Sequence, residues 1–325
     1  MGIVLRSPAV DQVVKCKPLQ TFHRNGRATS PLANNESLYF QGGRYFQYFW
    51  GISGDFFQSC WNVVYETFDP NEFALIVWGS FLVTFLVYWI AGLCYTLIDY
   101  TGRPAFAMKY KIQDNVSYPV PFGKIWKVIN QVLINQVFAG VPFYVFGYYM
   151  MTWRCYDSGK SLPSFQRILM EIAFCVLMEE IGFYYSHRLL HHPRIYKYIH
   201  KMHHEWTSPI AITAIYCHPV EHLLSNLMPA LLGPLILGSH MFTSWIWFSL
   251  ALLSTLNSHC GFHFPFFPSP EAHDFHHLKF NENYGVLGIL DRLHGTNNVF
   301  RKSKLYQRHF LSLSLVPLKK LYPDS

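Results

Sequence analysis

The sequence has few charged residues and no cysteine arrangement that would hold a zinc ion. Charged residues make up 14% of the 325 residues, whereas 51% are hydrophobic and 18% are aromatic; soluble domains carry about 25% charged residues. None of the seven cysteines stands in a CxxC pair, which argues against a zinc-ribbon framework. The chain also lacks a GxGxxG dinucleotide motif and a basic stripe of the kind that binds nucleic acid. A membrane protein is therefore favoured, and nucleic acid is not expected as a partner.

Long apolar runs predict helices that cross a membrane. Residues 73–97 contain no charge, and at about 1.5 Å per residue this run exceeds a hydrocarbon core of about 30 Å. Residues 128–151 form a second run, whose four amide side chains need partners inside a helical bundle. Residues 168–185 form a third run that contains glutamates, so it is expected either inside the bundle or tilted at the interface.

Two further runs, residues 223–237 and 241–257, predict a helical hairpin. Each arm is slightly short for a full span, so the total is four or five spans. A hairpin returns the chain to the side it left, so the segments before residue 222 and after residue 259 share one face. His240, at the turn, is expected to be an ordinary loop histidine. Lys and Arg residues near that face and in the loop 101–127 favour a cytosolic location for both.

Histidines are concentrated in one part of the chain. Fourteen of the 17 lie between residues 187 and 277, where HRLLH and HCGFH space two histidines four residues apart. HKMHH and HDFHH repeat a spacing of three and four, and such spacings share one face of a helix. These motifs supply ten nitrogens in two matching sets, enough for two metal ions at about five ligands each. The expected ligands are His187, His191, His200, His203, His204, His259, His263, His273, His276 and His277.

The ligand type leaves the metal open. Ten imidazoles exceed the three or four ligands of a single zinc ion, and imidazole suits iron, copper, zinc or nickel. A ligating histidine usually bonds a carboxylate or carbonyl through its other nitrogen. Residues expected beside the ligands are His192, His218, Asp274, Glu179 and Glu180. Glu221 is a further carboxylate candidate, whereas Glu205 is expected to be solvated and His222 to be structural.

The motifs HRLLHH, HKMHH and HDFHH, followed by NYGVLGILDRLHGT, resemble the fatty acid hydroxylase superfamily of integral membrane di-metal enzymes. The resemblance covers roughly residues 171–296. The runs HRLLHHPRIYKYIHKMHHEW and AIYCHPVEHLL are most similar to the sterol C4-methyl oxidase branch and its sister group of fatty acid hydroxylase domain-containing proteins. This resemblance implies two iron ions in a non-haem centre, O₂ as the oxidant and the endoplasmic reticulum as the location.

The same resemblance implies a lipid hydroxylase, with a sterol as the first candidate substrate and a fatty acid or sphingolipid as the second. Desaturation stays open, because it begins with the same hydrogen abstraction. The sequence contains no haem or dinucleotide motif, so an external electron donor is expected, namely NAD(P)H through cytochrome b5 and its reductase. A metal transporter is an alternative, but its ligands would lie at the bilayer midplane between inverted repeats. A non-catalytic metal-binding membrane protein is another.

These patterns together predict an all-α polytopic membrane protein with a histidine-rich cytosolic helical cap that holds a di-metal site. Residues 1–50, which include ESLYFQG at 36–42, are expected to be disordered or of engineered origin. Residues 51–325 are expected to form a single membrane-embedded hydroxylase domain.

Overall fold

Helices provide the regular structure of the residues that the computed structural model describes, which are 38–68, 71–113 and 118–323. No β-strand occurs among these residues, although an isolated bridge joins Lys111 and Phe262. The predicted all-α class is therefore confirmed for this part of the chain. The chain divides into two compact units, Met1–Phe57 and Gln58–Ser325, and the second holds every histidine motif. The predicted domain limits stay a prediction, because most of residues 1–50 lie outside the described residues.

The longer helices are α1 (Leu38–Phe68), α2 (Glu72–Thr101), α3 (Phe122–Trp153), α4 (Phe165–Leu190), α5 (Pro219–Leu237), α6 (Met241–His259), α7 (Glu271–Lys279) and α8 (Ile289–His294). Shorter helical segments cover Ala105–Met108, Pro193–Tyr196, His200–Glu205, Ala211–Ile215, Asn298–Lys302, Lys304–Arg308 and Leu318–Leu321. Three of the long helices contain a π-helical stretch, at Leu75–Gly79 in α2, Asn135–Gly140 in α3 and His222–Leu227 in α5.

Among the described helices, α2, α3 and α5 are long and apolar enough to cross a membrane. The first two contain the predicted runs 73–97 and 128–151. The predicted hairpin is also present, because α5 ends at Gly238 in a left-handed conformation (φ +63°) and α6 begins at Met241. Each arm has 19 residues, about 28 Å of helix. The arms are longer than expected because α5 begins at Pro219 and α6 continues to His259.

Amide side chains of α3 find partners inside the bundle, as the second apolar run required. Asn135 donates to the carbonyls of Ile215 and Cys217, both at 2.9 Å. Gln131 also donates to the Cys217 carbonyl, at 3.3 Å, whereas Asn130 is exposed. These bonds hold the buried segment that follows HKMHH against the membrane-spanning helices.

Helices α4 and α5 run antiparallel in close contact. A Cβ on Gly233 would lie 2.7 Å from the backbone of Cys175, so only glycine permits this approach. Nearer the other end of the pair, the Ser186 and Ser225 hydroxyls are 3.0 Å apart. The C-terminal end of α4 therefore lies beside the N-terminal end of α5, and α6 returns His259 to the same end of the bundle.

His240 lies at the opposite end and is fully buried. Its Nδ1 accepts a hydrogen bond from the Phe242 backbone and caps α6, while its Nε2 donates to the Gly159 carbonyl at 2.9 Å. The ring also contacts Trp61, with centroids 5.3 Å apart. It is thus a buried capping residue rather than an ordinary loop histidine, because its ring fills the space under the hairpin turn.

Candidate metal centre

Nine of the ten expected ligands converge in two adjacent groups. The five-histidine group consists of His187, His191, His200, His204 and His276. The four-histidine group consists of His203, His259, His273 and His277. Within each group, one ring nitrogen of every member lies within 4.8 Å of the others.

Each group combines histidines from both halves of the histidine-rich sequence. His203 comes from the first half of the histidine-rich sequence but joins the four-histidine group, whereas His276 comes from the second half and joins the five-histidine group. The grouping therefore differs from the expected two matching sets of five. The groups also touch, since the ring centroid of His204 lies 5.6 Å from that of His203 and 4.8 Å from that of His277. Neither group can form until both halves of the sequence meet.

Local structure explains the position of each motif. His187 lies in the last turn of α4 and His191 follows as its C-cap, so HRLLH presents both rings at the end of that helix. HKMHH is a 3₁₀ turn rather than an α-helix, and its three histidines are all buried. HDFHH lies on α7, where the four-residue spacing places His273 and His277 in one group.

The expected ligand His263 joins neither group. The four-residue spacing of HCGFH implied a shared helix face, but α6 ends at His259 and Gly261 adopts a left-handed conformation (φ +68°). The His263 ring is buried elsewhere, with Nε2 donating to the Phe310 carbonyl at 3.1 Å. Its Nδ1 lies 3.8 Å from the Glu271 carboxylate.

Backbone carbonyls orient several of the converging rings through Nδ1. The acceptors and distances are Tyr284 for His187 (2.8 Å), Glu282 for His276 (2.6 Å), Tyr216 for His203 (3.3 Å), Thr255 for His259 (2.7 Å) and Trp206 for His277 (2.9 Å). A carbonyl oxygen can only accept, so Nδ1 carries the hydrogen in each of these rings. Their Nε2 atoms consequently present lone pairs toward the centre.

Some neighbouring Nε2 atoms lie too close together for both to direct lone pairs at each other. His203 and His259 each donate through Nδ1, and yet their Nε2 atoms are 3.3 Å apart. Five further Nε2 pairs, 187/200, 200/204, 191/204, 259/273 and 273/277, are separated by 2.9–3.2 Å. Metal–nitrogen bonds of about 2.1 Å at right angles would hold nitrogens about 3.0 Å apart. The donor set therefore fits bound metal.

Burial keeps these rings neutral. Loss of water contact lowers the pKa of His203 to about 4, and burial together with the neighbouring His187 lowers the pKa of His191 to about 2. Burial and the adjacent imidazoles also hold the pKa of His276 and His277 well below the usual range. Protonation therefore does not relieve the repulsion near neutral pH. Neutral imidazole is the form that binds a metal ion.

The acidic candidates occupy different positions. Glu221 Oε1 lies 2.8 Å from Nδ1 of His200, and both residues are buried, although the N–H is not aligned on the oxygen. Asp274 accepts from the Gln113 amide at 3.0 Å, and burial raises its pKa to about 7. Glu205 is exposed and accepts from Lys127 at 2.9 Å. Of these three carboxylates, Glu221 is thus the one that contacts a ring of the histidine groups.

Glu180 acts on the centre through a loop. Its carboxylate accepts three backbone N–H groups at 2.7–2.9 Å, from Val286, Leu287 and Leu290. The same loop supplies the Tyr284 carbonyl that bonds His187. Glu180 therefore fixes the His187 ring by fixing the main chain that orients it, an arrangement that residue spacing does not reveal.

His192 and His218 each cap a helix. Nδ1 of His192 accepts from the Arg194 backbone at 3.3 Å, and Nδ1 of His218 accepts from the Val220 backbone at 3.2 Å. His218 is the N-cap of α5, directly before Pro219. Neither residue belongs to a histidine group.

An apolar cavity in the helix bundle approaches the centre, although none of the nine converging histidines lines it. Its empty volume is about 1200 Å³, part of it open to the surroundings, and residues of α2, α3, α4, α5 and α6 line it. At one end lie Thr255, whose carbonyl orients His259, and Phe183, whose ring centroid is 4.8 Å from that of His187. Met241, beside the hairpin turn, lines the other end. The cavity suits a long apolar molecule with one end near the residues that contact His187 and His259.

Residues 172–296 match the family model described as fatty acid hydroxylase. Fatty acid hydroxylase domain-containing protein 2 of Homo sapiens is 48% identical over 279 residues, which covers 86% of this chain and 84% of that protein. Methylsterol monooxygenase 1 of Danio rerio is 33% identical, covering 78% and 87% respectively. A fatty acid hydroxylase of Mycosarcoma maydis is 39% identical, covering 64% and 54%. No solved structure matches the chain.

Proposed function

Because this chain belongs to the fatty acid hydroxylase family, we propose that it is a membrane-bound, non-haem di-iron monooxygenase that hydroxylates a lipid C–H bond. The observation that carries this proposal is the convergence of nine buried imidazoles in two touching groups. Neutral nitrogen ligands leave bound iron cationic and oxidising. The apolar cavity that approaches these groups suits a lipid substrate.

Iron in this centre would supply the O₂ reduction that attack on an unactivated C–H bond requires. The balanced reaction converts RH, O₂, two electrons and two protons to ROH and water. The electrons must come from outside the chain, and the proposed source is NAD(P)H through cytochrome b5 and its reductase. Three exposed basic residues near the histidines, Arg188, Lys197 and Lys201, are proposed to receive the acidic donor.

The protein's own residues orient the histidine rings and exclude water from the site. Carbonyls of Tyr284 and Thr255 hold the His187 and His259 rings with Nε2 inward, which fixes the ligand geometry before metal binds. The cavity wall beside them is apolar, and Phe183 covers the His187 ring. A lipid that fills the cavity would exclude water from the reacting carbon.

A sterol is the first candidate substrate and a fatty acid or sphingolipid the second. The methylsterol monooxygenases among the relatives support the former, and the fatty acid hydroxylase of Mycosarcoma maydis supports the latter. The proposed location is the endoplasmic reticulum membrane, with the histidine groups facing the cytosol. Lys and Arg residues in the loop 101–127 and beside the histidine motifs favour that orientation.

Metal analysis of the purified full chain tests the centre. We expect two iron ions per chain, and we expect His191→Gln to lose iron. His192→Gln is the matched control, because the adjacent ring is exposed and caps a short helix. Zinc alone, or equal iron in both variants, would contradict the proposal.

Turnover with methylsterols and with free fatty acids, driven by NADPH and the donor proteins, then identifies the substrate. Hydroxylation under ¹⁸O₂ adds one labelled oxygen to the product. A product that has lost two hydrogens and gained no label would instead identify a desaturase.

A further inference from the structure

Glu179 is a polar residue of the cavity wall that lacks a protein partner. It lies on α4, one residue before the loop anchor Glu180, and it lines the cavity. Its Oε2 atom is buried without a hydrogen bond, and no ion pair of its carboxyl group occurs within the described ranges. Two successive glutamates thus differ completely in their surroundings.

Most other polar side chains of the cavity wall have hydrogen-bond partners within the protein. The pairs are Thr84 with Tyr144 (2.6 Å), Gln136 with Trp89 (2.8 Å), Asn226 with His222 (3.3 Å) and Ser80 with Trp245 (2.9 Å). The lack of a partner at Glu179 is therefore a local feature and not a general property of the cavity.

A buried polar group without a partner destabilises a protein, and native structures contain few of them. An apolar side chain at position 179 would suit this cavity better if the position served only for folding. A molecule that enters the cavity can supply the partner that the protein does not. A ligand hydroxyl is the simplest complement, because it donates to an ionised carboxylate and accepts from a neutral carboxyl group.

We propose that Glu179 binds the hydroxyl group of the lipid substrate, so that the enzyme selects a lipid alcohol. This inference rests on the proposed function. Glu179 lies eight positions before His187 on α4, which is a rise of about 12 Å along the helix axis.

Equilibrium binding to the purified full chain tests the proposal with two matched ligand pairs. One pair is a sterol and its 3-deoxy analogue, and the other is a long-chain alcohol and the alkane of the same length. In at least one pair we expect the wild type to bind the hydroxylated member about ten-fold more tightly or better. Glu179→Leu should reduce that preference to less than about two-fold without weakening the binding of the member that lacks the hydroxyl. The pair that responds identifies the lipid as a sterol or a linear alcohol.

Glu171→Gln is the matched control, since it removes a carboxylate from the same helix whose partner is Arg167, at 2.7 Å. It should leave the preference unchanged. Glu179→Leu should also unfold at the same or higher denaturant concentration than the wild type, because it removes an unpaired polar group. A preference that survives in Glu179→Leu, or no binding of either pair to the wild type, would overturn the proposal. The binding assay requires no turnover. Failure of this proposal can therefore be distinguished from failure of the proposed function, which the iron analysis tests.

Discussion

Replacement of Glu180 by Gln tests how the loop beside the metal centre is held. The carboxylate accepts Val286 and Leu287 N–H on Oε2 and Leu290 N–H on Oε1, at 2.9, 2.7 and 2.9 Å. Glutamine offers a single oxygen and turns an NH₂ group toward the remaining N–H. Hydrogen bonds to charged groups contribute about 1.5–3 kcal/mol each, so we expect a loss of about 2–4 kcal/mol in the free energy of unfolding.

The same change should weaken metal binding. The anchored loop carries the Tyr284 carbonyl that accepts from His187, and loss of such an orienting contact typically lowers metal affinity about 10–100-fold. Competition of the purified protein with a coloured chelator measures this affinity, and denaturant titration measures the stability.

Glu179→Gln is the matched control for Glu180→Gln. The two residues are adjacent on one helix, but Oε2 of Glu179 has no bond to lose. The control should keep wild-type stability and metal affinity. If both variants behave alike, or if Glu180→Gln binds metal as tightly as the wild type, the argument from the loop is refuted.

Three further outcomes are expected. Glu221→Gln should lower iron affinity in a chelator competition, whereas Glu205→Gln, which alters an exposed carboxylate, should not; equal affinities would contradict the role of the buried contact. His273→Asn should lose iron in metal analysis and His263→Asn should retain it, and the reverse result would place His263 in the centre. Burial lowers the pKa of His203 to about 4 in the folded chain, below the value of about 6.5 expected when unfolded, so the unfolded chain binds more protons between these values. The metal-free protein should therefore lose stability as the pH falls from about 6.5 to about 4, and a flat profile in denaturant titrations would refute this.

Each histidine group contains residues from both halves of the histidine-rich sequence, and this links metal binding to tertiary structure. His203 lies 5.2 Å, centroid to centroid, from His259, a residue of the second half of the histidine-rich sequence. His276 lies 4.5 Å from His187, a residue of the first half. Metal held by the five-histidine group therefore joins the end of α4 to α7, and metal held by the four-histidine group joins the end of α6 to α7. Binding energy obtained there stabilises the folded arrangement of the whole helical cap.

The sequence alone determined the helical class, two of the membrane-spanning helices, the hairpin and the nine histidines that converge. These features depend on composition and on spacing along the chain, which are local properties. The amides of α3 also indicated a need for internal partners, and Asn135 found them in the carbonyls of Ile215 and Cys217.

Only the tertiary structure decided which histidines share a group, which are turned away and which atoms orient the rings. The spacing of HCGFH could not show that α6 ends at His259 and directs His263 elsewhere. The orienting acceptors are mostly backbone carbonyls, which every residue possesses and no residue type marks. Residues 179 and 180 are both glutamates, yet Glu179 lines an apolar cavity and Glu180 accepts three backbone N–H groups. Such differences arise from segments that meet in space, because a side chain's chemistry depends on its partners and its access to water.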